Sequence, residues 1–197
     1  MRLYTLIVPA LFLGCSSITT PTVNEYTIYP SVVSGKSVAQ HSSKILRLSA
    51  TRAIPSLETK QLSYLRSNGE SGNYLYTRWS DTPSLLIERS LHHALDEKGL
   101  FSAILSPVSS SNADMVLESD LHAFYHRFEA GKPSQGVIDI TYRLIDTQTK
   151  LPIASKRFLI TQESPSEDAI GGVKALSEAT NELSQQSTQW IQEKVKK

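Results

Sequence analysis

The sequence predicts an α+β domain, a largely antiparallel or mixed sheet of about five to seven strands with two main helices packed on it. Three observations point there. Thr82-Pro83 followed by Leu86, Ile87, Leu91, Ala94 and Leu95 and closed by Gly99 reads as a helix over about 83–98. Residues Asp114 to Phe128 and Ile138 to Leu144 alternate apolar with polar, the period of strands. Val173, Leu176, Thr180, Leu183, Ser187 and Trp190 recur three and four apart, the period of a second helix, over about 166–195.

Ahead of these elements, Met1-Arg2 leads into the apolar run Leu3 to Leu13 and then Gly14-Cys15-Ser16-Ser17. A basic start, a short apolar core and a small residue before the end are the parts of a secretion signal. A spanning helix needs about 20 apolar residues, and Pro9 interrupts even this run. Cys15 is the sole cysteine, so it has no internal disulfide partner although an export signal points to an oxidising compartment. Leu11-Phe12-Leu13-Gly14-Cys15 resembles the lipobox of bacterial lipoproteins, with Phe12 in place of the usual leucine. The resemblance implies that residues 1–14 are removed and that Cys15 carries the lipid. It also implies that Ser16, rather than an aspartate, directs the mature chain to the outer membrane of a Gram-negative bacterium, facing the periplasm. Residues 15–23 then form a lipidated tether and 24–197 a single domain.

Within that domain, Glu25 to Tyr29 is a first strand, Ser31 to Ser43 a serine-rich loop, and Lys44 to Ala50 and Leu62 to Ser67 further strands. Asn68-Gly69 between Tyr64-Leu65-Arg66 and Tyr74-Leu75-Tyr76 marks a hairpin whose loop reaches Gly72, since both residues tolerate a positive φ. Thr82 caps the first main helix and Pro83 occupies its first position. Ala103 to Leu105 is a short strand before the loop Ser106 to Asn112. On the long strand that follows, Met115, Leu117, Leu121, Ala123 and Tyr125 face the core, and Glu118, Asp120, His122 and His126 face water. Ile138, Ile140, Tyr142 and Leu144 repeat the pattern; Ala154, Phe158 and Ile160 continue it, which suggests an antiparallel meander. Ser166 caps the last helix, whose moderately polar stripe suits a periphery or a partner.

The stretches Leu62 to Arg66 and Tyr74-Leu75-Tyr76-Thr77-Arg78-Trp79, with Pro83, Leu86, Leu91, Leu95, Gly99 and Phe101, resemble the ABC-type transport auxiliary lipoprotein component family. Ala113-Asp114, Leu117, Leu121 and Phe124, and then Ala169, Val173, Leu176 and Trp190, extend the likeness. The resemblance implies a non-catalytic subunit of an envelope system that moves phospholipids or hydrophobic compounds between membranes. Its partners would be a permease, an ATPase and a substrate-binding protein with the mammalian-cell-entry domain. A homo-oligomer is compatible with it. The family has no agreed catalytic site to carry over, and no cofactor is expected.

Charge excludes one class of partner. Lys and Arg total 20 against 19 Asp and Glu, with no basic stripe, so nucleic acid is not expected. The phosphate cradle GxxxxGK[ST] is absent, so any ATP hydrolysis belongs to a partner. Glu118, Asp120, His122 and His126 on one strand face are potential metal ligands, but alternate strand residues lie about 6.6 Å apart and a solvated face is the better reading. His92-His93 point different ways on a helix. Ser71 in Gly69-Glu70-Ser71-Gly72 sits in a turn rather than a nucleophile elbow, leaving a hydrolase with least support. Asp114 is read as a local cap or a partner of Arg78. Arg78 and Trp79 either seat a partner chain or close the core, and a large aromatic beside a helix start favours closure. Trp190 invites the same two readings. A structural or assembly lipoprotein, such as a secretion pilot, is the competing function.

Overall fold

The computed structural model describes residues 21–30 and 42–195. Cys15, the apolar run before it and most of the serine-rich loop therefore lie outside the described residues. In chain order the strands are β1 (Asn24–Tyr26), β2 (Ile45–Leu48), β3 (Arg52–Ala53), β4 (Gln61–Arg66) and β5 (Ser71–Trp79). Helix α1 (Pro83–Lys98) and strand β6 (Ala103–Leu105) come next. The long strands β7 (Met115–Phe128), β8 (Gln135–Asp146) and β9 (Pro152–Glu163) follow, and α2 (Ala169–Val195) closes the domain.

The sheet is mixed and has nine strands, more than the five to seven expected. The meander is present in β7, β8 and β9, which pair antiparallel along most of their length. The opposite edge of β7 is covered by three short strands in series, all parallel to it: β2 beside Met115 to Leu117, β3 beside Asp120-Leu121 and β4 beside His126 to Phe128. Beyond β2 lies β6, and beyond β4 lie β5 and then β1.

Both helices share one core with the inner face of this sheet, where Leu117, Leu121, Phe124, Ile138, Ile140, Tyr142, Leu144, Phe158 and Ile160 are buried. Helix α1 contributes Leu86, Ile87, Leu91 and Leu95, the expected face, while Ala94 is half-buried. Thr82 is extended at its N-cap but its hydroxyl makes no capping bond, so Pro83 alone carries the start signal; Gly99 ends the helix in the left-handed region at φ 60°. The start of α2 differs from expectation. Asp168, not Ser166, caps it, accepting from the Gly171 N–H at 2.8 Å, and the Ser166 hydroxyl donates to the same carboxylate at 2.7 Å. The carboxylate sits at the positive end of a 27-residue helix, where it is most favoured. Every residue of the expected stripe from Val173 to Trp190 is buried.

One local irregularity corrects the expected faces of β7. Leu121 pairs with Ile140 and Ala123 with Asp139, so His122 is an extra residue in a β-bulge. The bulge reverses the alternation beyond it. Phe124 and His126 therefore turn into the core, and Tyr125, expected inside, stands on the outer face opposite Val137.

Candidate functional site

The outer face carries no helix among the described residues, and its charges are paired across strands. On β3, Arg52 donates to Asp120 of β7 at 2.6 Å and reaches Glu118 at 3.4 Å, and Arg143 of β8 closes on the other oxygen of Asp120. The hydrogen bond from Arg52, joined by that from Arg143, pulls the Asp120 carboxyl down to about 2. Arg157 of β9 holds Asp139 of β8 at 2.7 Å and lowers it likewise. His122 lies 3.0 Å from the Thr141 hydroxyl. These residues make a solvated ion-pair lattice, the role a mixed-sign sheet face ordinarily has.

The bulge separates the two histidines on which a metal site would depend. His122 points outward and His126 inward, and among the described residues no group of three or more metal-ligating side chains converges. His126 is fully buried. Its Nδ1 lies 2.8 Å from the Tyr74 hydroxyl, the Phe128 ring lies tilted by 47° at 4.4 Å between centroids, and Nε2 has no partner among the described residues. Burial lowers the imidazole pKa against a weaker opposing pull from Asp168, and burial likewise raises Tyr74 to about 12. This pair is a packed polar contact beneath the start of α2, an arrangement the expected solvated face gave no hint of. The signal that could have found it is the adjacent Phe124, whose apolar side chain breaks the alternation.

Ser71 begins β5 after a turn in which Gly69 has φ 85°. It is exposed, as is His122, whereas His126 is sealed in the core, so the three do not assemble a nucleophilic site. Asp114 accepts from the Ile45 N–H at 2.7 Å and fixes the start of β2; it does not meet Arg78. Arg78 instead donates to Glu25 at 2.9 Å across the β1–β5 edge, half-exposed. Trp79 is fully buried with its ring edge-on to Phe124 at 5.7 Å, and its indole N–H has no partner among the described residues. Trp190 is 5% exposed and packs on Phe158. Both tryptophans thus sit inside the core, and Arg78 on an edge.

A second surface feature was not anticipated. Helices α1 and α2 flank a groove of about 430 Å³. Its α1 wall is Ser90, His93, Ala94, Glu97 and Lys98, its α2 wall Asn181, Ser184, Gln185, Thr188, Gln189 and Gln192, and Pro30 stands at one end. The walls are rich in uncharged hydrogen-bonding groups. Spacing of three and four on both helices was visible in the sequence, but only the packing of α1 on α2 shows that these two polar stripes face each other.

No curated protein matches the chain. Among solved structures it is similar to a Xanthomonas campestris protein at 18% identity and TM-score 0.73, over 88% of this chain and 96% of that one. An uncharacterized protein gives 13% and 0.66, over 86% and 99%. A hypothetical protein from Chlamydia trachomatis gives 10% and 0.57, over 78% and 98%. At these identities the likeness concerns the fold. A family model described as the ABC-type transport auxiliary lipoprotein component matches residues 26–187. That span runs from β1 to the Ser187 turn of α2 and takes in every strand but the first residues of β1, so the chain belongs to the ABC-type transport auxiliary lipoprotein component family.

Proposed function

We propose that this chain is a non-catalytic lipoprotein subunit that works by binding and positioning within an ABC-type transport system. The system moves phospholipids or hydrophobic compounds between the envelope membranes. Family membership over residues 26–187 is the observation that carries the reading. The residue chemistry supports it: the chain lacks a phosphate cradle, and its outer-face carboxylates are held in ion pairs rather than aimed into a cleft. In this reading Cys15 carries the diacylglycerol and holds the domain to the periplasmic side of the outer membrane. Acyl chains contribute about 0.8 kcal/mol per buried CH₂, so several chains on one residue give a lasting anchor. The partners are a permease, an ATPase and a substrate-binding protein with the mammalian-cell-entry domain.

Crosslinking followed by affinity purification of the full-length lipidated chain tests the assignment. The expected result is recovery of the mammalian-cell-entry-domain protein or the permease. Repeated recovery of secretion or appendage components instead would transfer the chain to an assembly role. Mass spectrometry of the mature N-terminus tests the anchor: the expected species begins at Cys15 with added acyl mass, and an unmodified Cys15 overturns it.

A further inference from the structure

We propose that Val23, Leu75 and Tyr76 form a lipid-contact edge, which enters the headgroup layer of the bilayer that holds the anchor and sets the domain upright on its β1–β5 side. The proposal rests on the reading of Cys15 as the lipid-bearing residue. Leu75 is 80% exposed, Tyr76 51% and Val23 45%. Their exposure has a cause in the register of β4 and β5. Gln61 pairs with Arg78 and Ser63 with Asn73, so the four residues Tyr74 to Thr77 stand opposite Leu62 alone. A bulge of that size pushes a strand outward and re-aims its side chains. Tyr74 turns in to His126 and Thr77 is buried, which leaves Leu75 and Tyr76 projecting. Val23 joins them, because Val23 and Tyr76 immediately precede Asn24 and Thr77, the first pair of the parallel β1–β5 ladder.

Exposed apolar side chains scattered singly are ordinary, but neighbouring ones mark a contact surface. The length of the tether names the surface. Cys15 lies eight residues before Val23, and even a fully extended chain of that length spans at most about 26–29 Å. Anchoring therefore keeps this edge within that distance of the bilayer whichever way the domain turns.

The chemistry of the edge suits lipid. Neither Ser16 to Asn24 nor Ser71 to Thr77 contains a charged side chain. The next residues, Glu25 and Arg78, are paired with each other at 2.9 Å. No unpaired charge of these two stretches has to leave water as the edge meets the headgroups. A tyrosine has an apolar ring and a polar tip, the combination favoured at a membrane–water interface. Because these stretches hold no basic cluster, the attraction is apolar: zwitterionic lipid suffices, and neither anionic lipid nor salt should alter it. Strand β9 lies at the opposite side of the sheet, four strand spacings from β5 through β4, β7 and β8, or about 19 Å farther from the bilayer.

The test uses the full-length lipidated chain in vesicles of phosphatidylcholine and phosphatidylethanolamine. Acylated Cys15 offers no free thiol, so Leu75→Cys, Tyr76→Cys or Leu159→Cys each takes a single environment-sensitive fluorophore. Lipids with a nitroxide near the headgroup should quench the fluorophore at 75 and 76 and spare it at 159, with or without added phosphatidylglycerol or salt. Equal quenching at all three positions, or at none, overturns the proposal. A blue shift at 75 without lipid quenching means that protein covers the edge, a second copy or residues 16–20, and also overturns it. Flotation and the mass of the N-terminus are read on the same sample. A floating chain with acylated Cys15 and no quenching refutes the lipid edge alone; an unmodified Cys15 refutes the anchor and the edge with it.

A further readout keeps the fluorophore at 75 and adds Tyr76→Glu or, separately, Val23→Glu. Both positions are exposed, and circular dichroism checks that each variant is folded. Replacing one apolar contact by a charge should lower the ratio of docked to undocked domain about tenfold. Leu159→Glu should leave it unchanged. Quenching that survives both Tyr76→Glu and Val23→Glu in folded protein overturns the role given to these side chains.

Discussion

Replacing Gly136 with alanine should destabilise the domain, because β8 passes beneath α2 with no room for a side chain. A Cβ on Gly136 would stand 2.7 Å from both the carbonyl carbon of Ala175 and the amide nitrogen of Leu176, where ordinary contact begins at 3.4 Å. Those neighbours are helix backbone, which cannot swing aside as a side-chain tip can, so α2 and the sheet must part by roughly 0.7 Å if contact is to become ordinary. Two effects compete. Gly136 does not have a positive φ, so alanine fits the backbone and stiffens the unfolded chain, a gain of about 0.4–1 kcal/mol. Overpacking costs about 1–3 kcal/mol, toward the upper end where backbone has to move. The net expectation is a loss of about 1–2 kcal/mol. With a urea dependence of about 2 kcal/mol per molar, the unfolding midpoint falls by about 0.5–1 M. Circular dichroism and the fluorescence of the buried tryptophans report it. Gly172→Ala is the comparison, because its Cβ would stand 2.7 Å from His126 Nδ1 on a ring that a second change can remove. His126→Ala should partly rescue Gly172→Ala and leave the Gly136→Ala defect in place. A Gly136→Ala protein as stable as the parent would refute the close approach of helix and strand.

Three further outcomes follow from the same packing. His126 is held neutral by burial, so the unfolded chain takes up more protons below the ordinary value of 6.5; stability should fall as pH drops from there toward the lowered folded pKa, and urea midpoints for His126→Leu should lack that component. Asp120 is displaced the other way, from 3.8 to about 2, so its contribution is present above pH 3.8 and is lost as pH falls toward 2. Asp120→Asn should cost less than about 1 kcal/mol at neutral pH, since Arg52 is 61% exposed, and should flatten the acid limb of a stability profile. Trp79→Ala should cost about 3–5 kcal/mol by thermal unfolding, whereas Arg78→Ala, which removes an ion pair exposed on both sides, should cost under about 1 kcal/mol. A large Arg78 effect on stability would contradict its edge position.

The elements with strong periodicity were legible in the sequence. Helix α1 could be placed from Pro83 and Gly99, and the β7–β8–β9 meander from alternation, because each signal is repeated over many residues. Strand β2 lies within the expected strand Lys44 to Ala50, but β3, two residues long, is too short to display a period, and the parallel pairing of both to β7 depends on contacts far along the chain. The face of His126 was misread for a local reason: one inserted residue at His122 inverts the pattern, and sequence alternation has no means of announcing a bulge except the neighbouring Phe124. The polar groove was invisible for a different reason. Its two walls are separately ordinary solvent-facing stripes, and their significance arises only when α1 and α2 are laid side by side.

The three short strands set along one edge of β7 also constrain the order in which the chain acquires structure. Tyr64 finds its partner in His126 and Leu46 in Met115, while β7, β8 and β9 are joined by neighbouring turns. Local pairings close quickly and distant ones slowly. A chain emerging N-terminus first can pair β4 with β5 and β2 with β6, but these pieces and β3 are not joined into one sheet until β7 has been made. In the proposed reading, in which the chain crosses a membrane before it folds, such delay is useful: the separate pieces cannot be united into one sheet before β7 has followed them across.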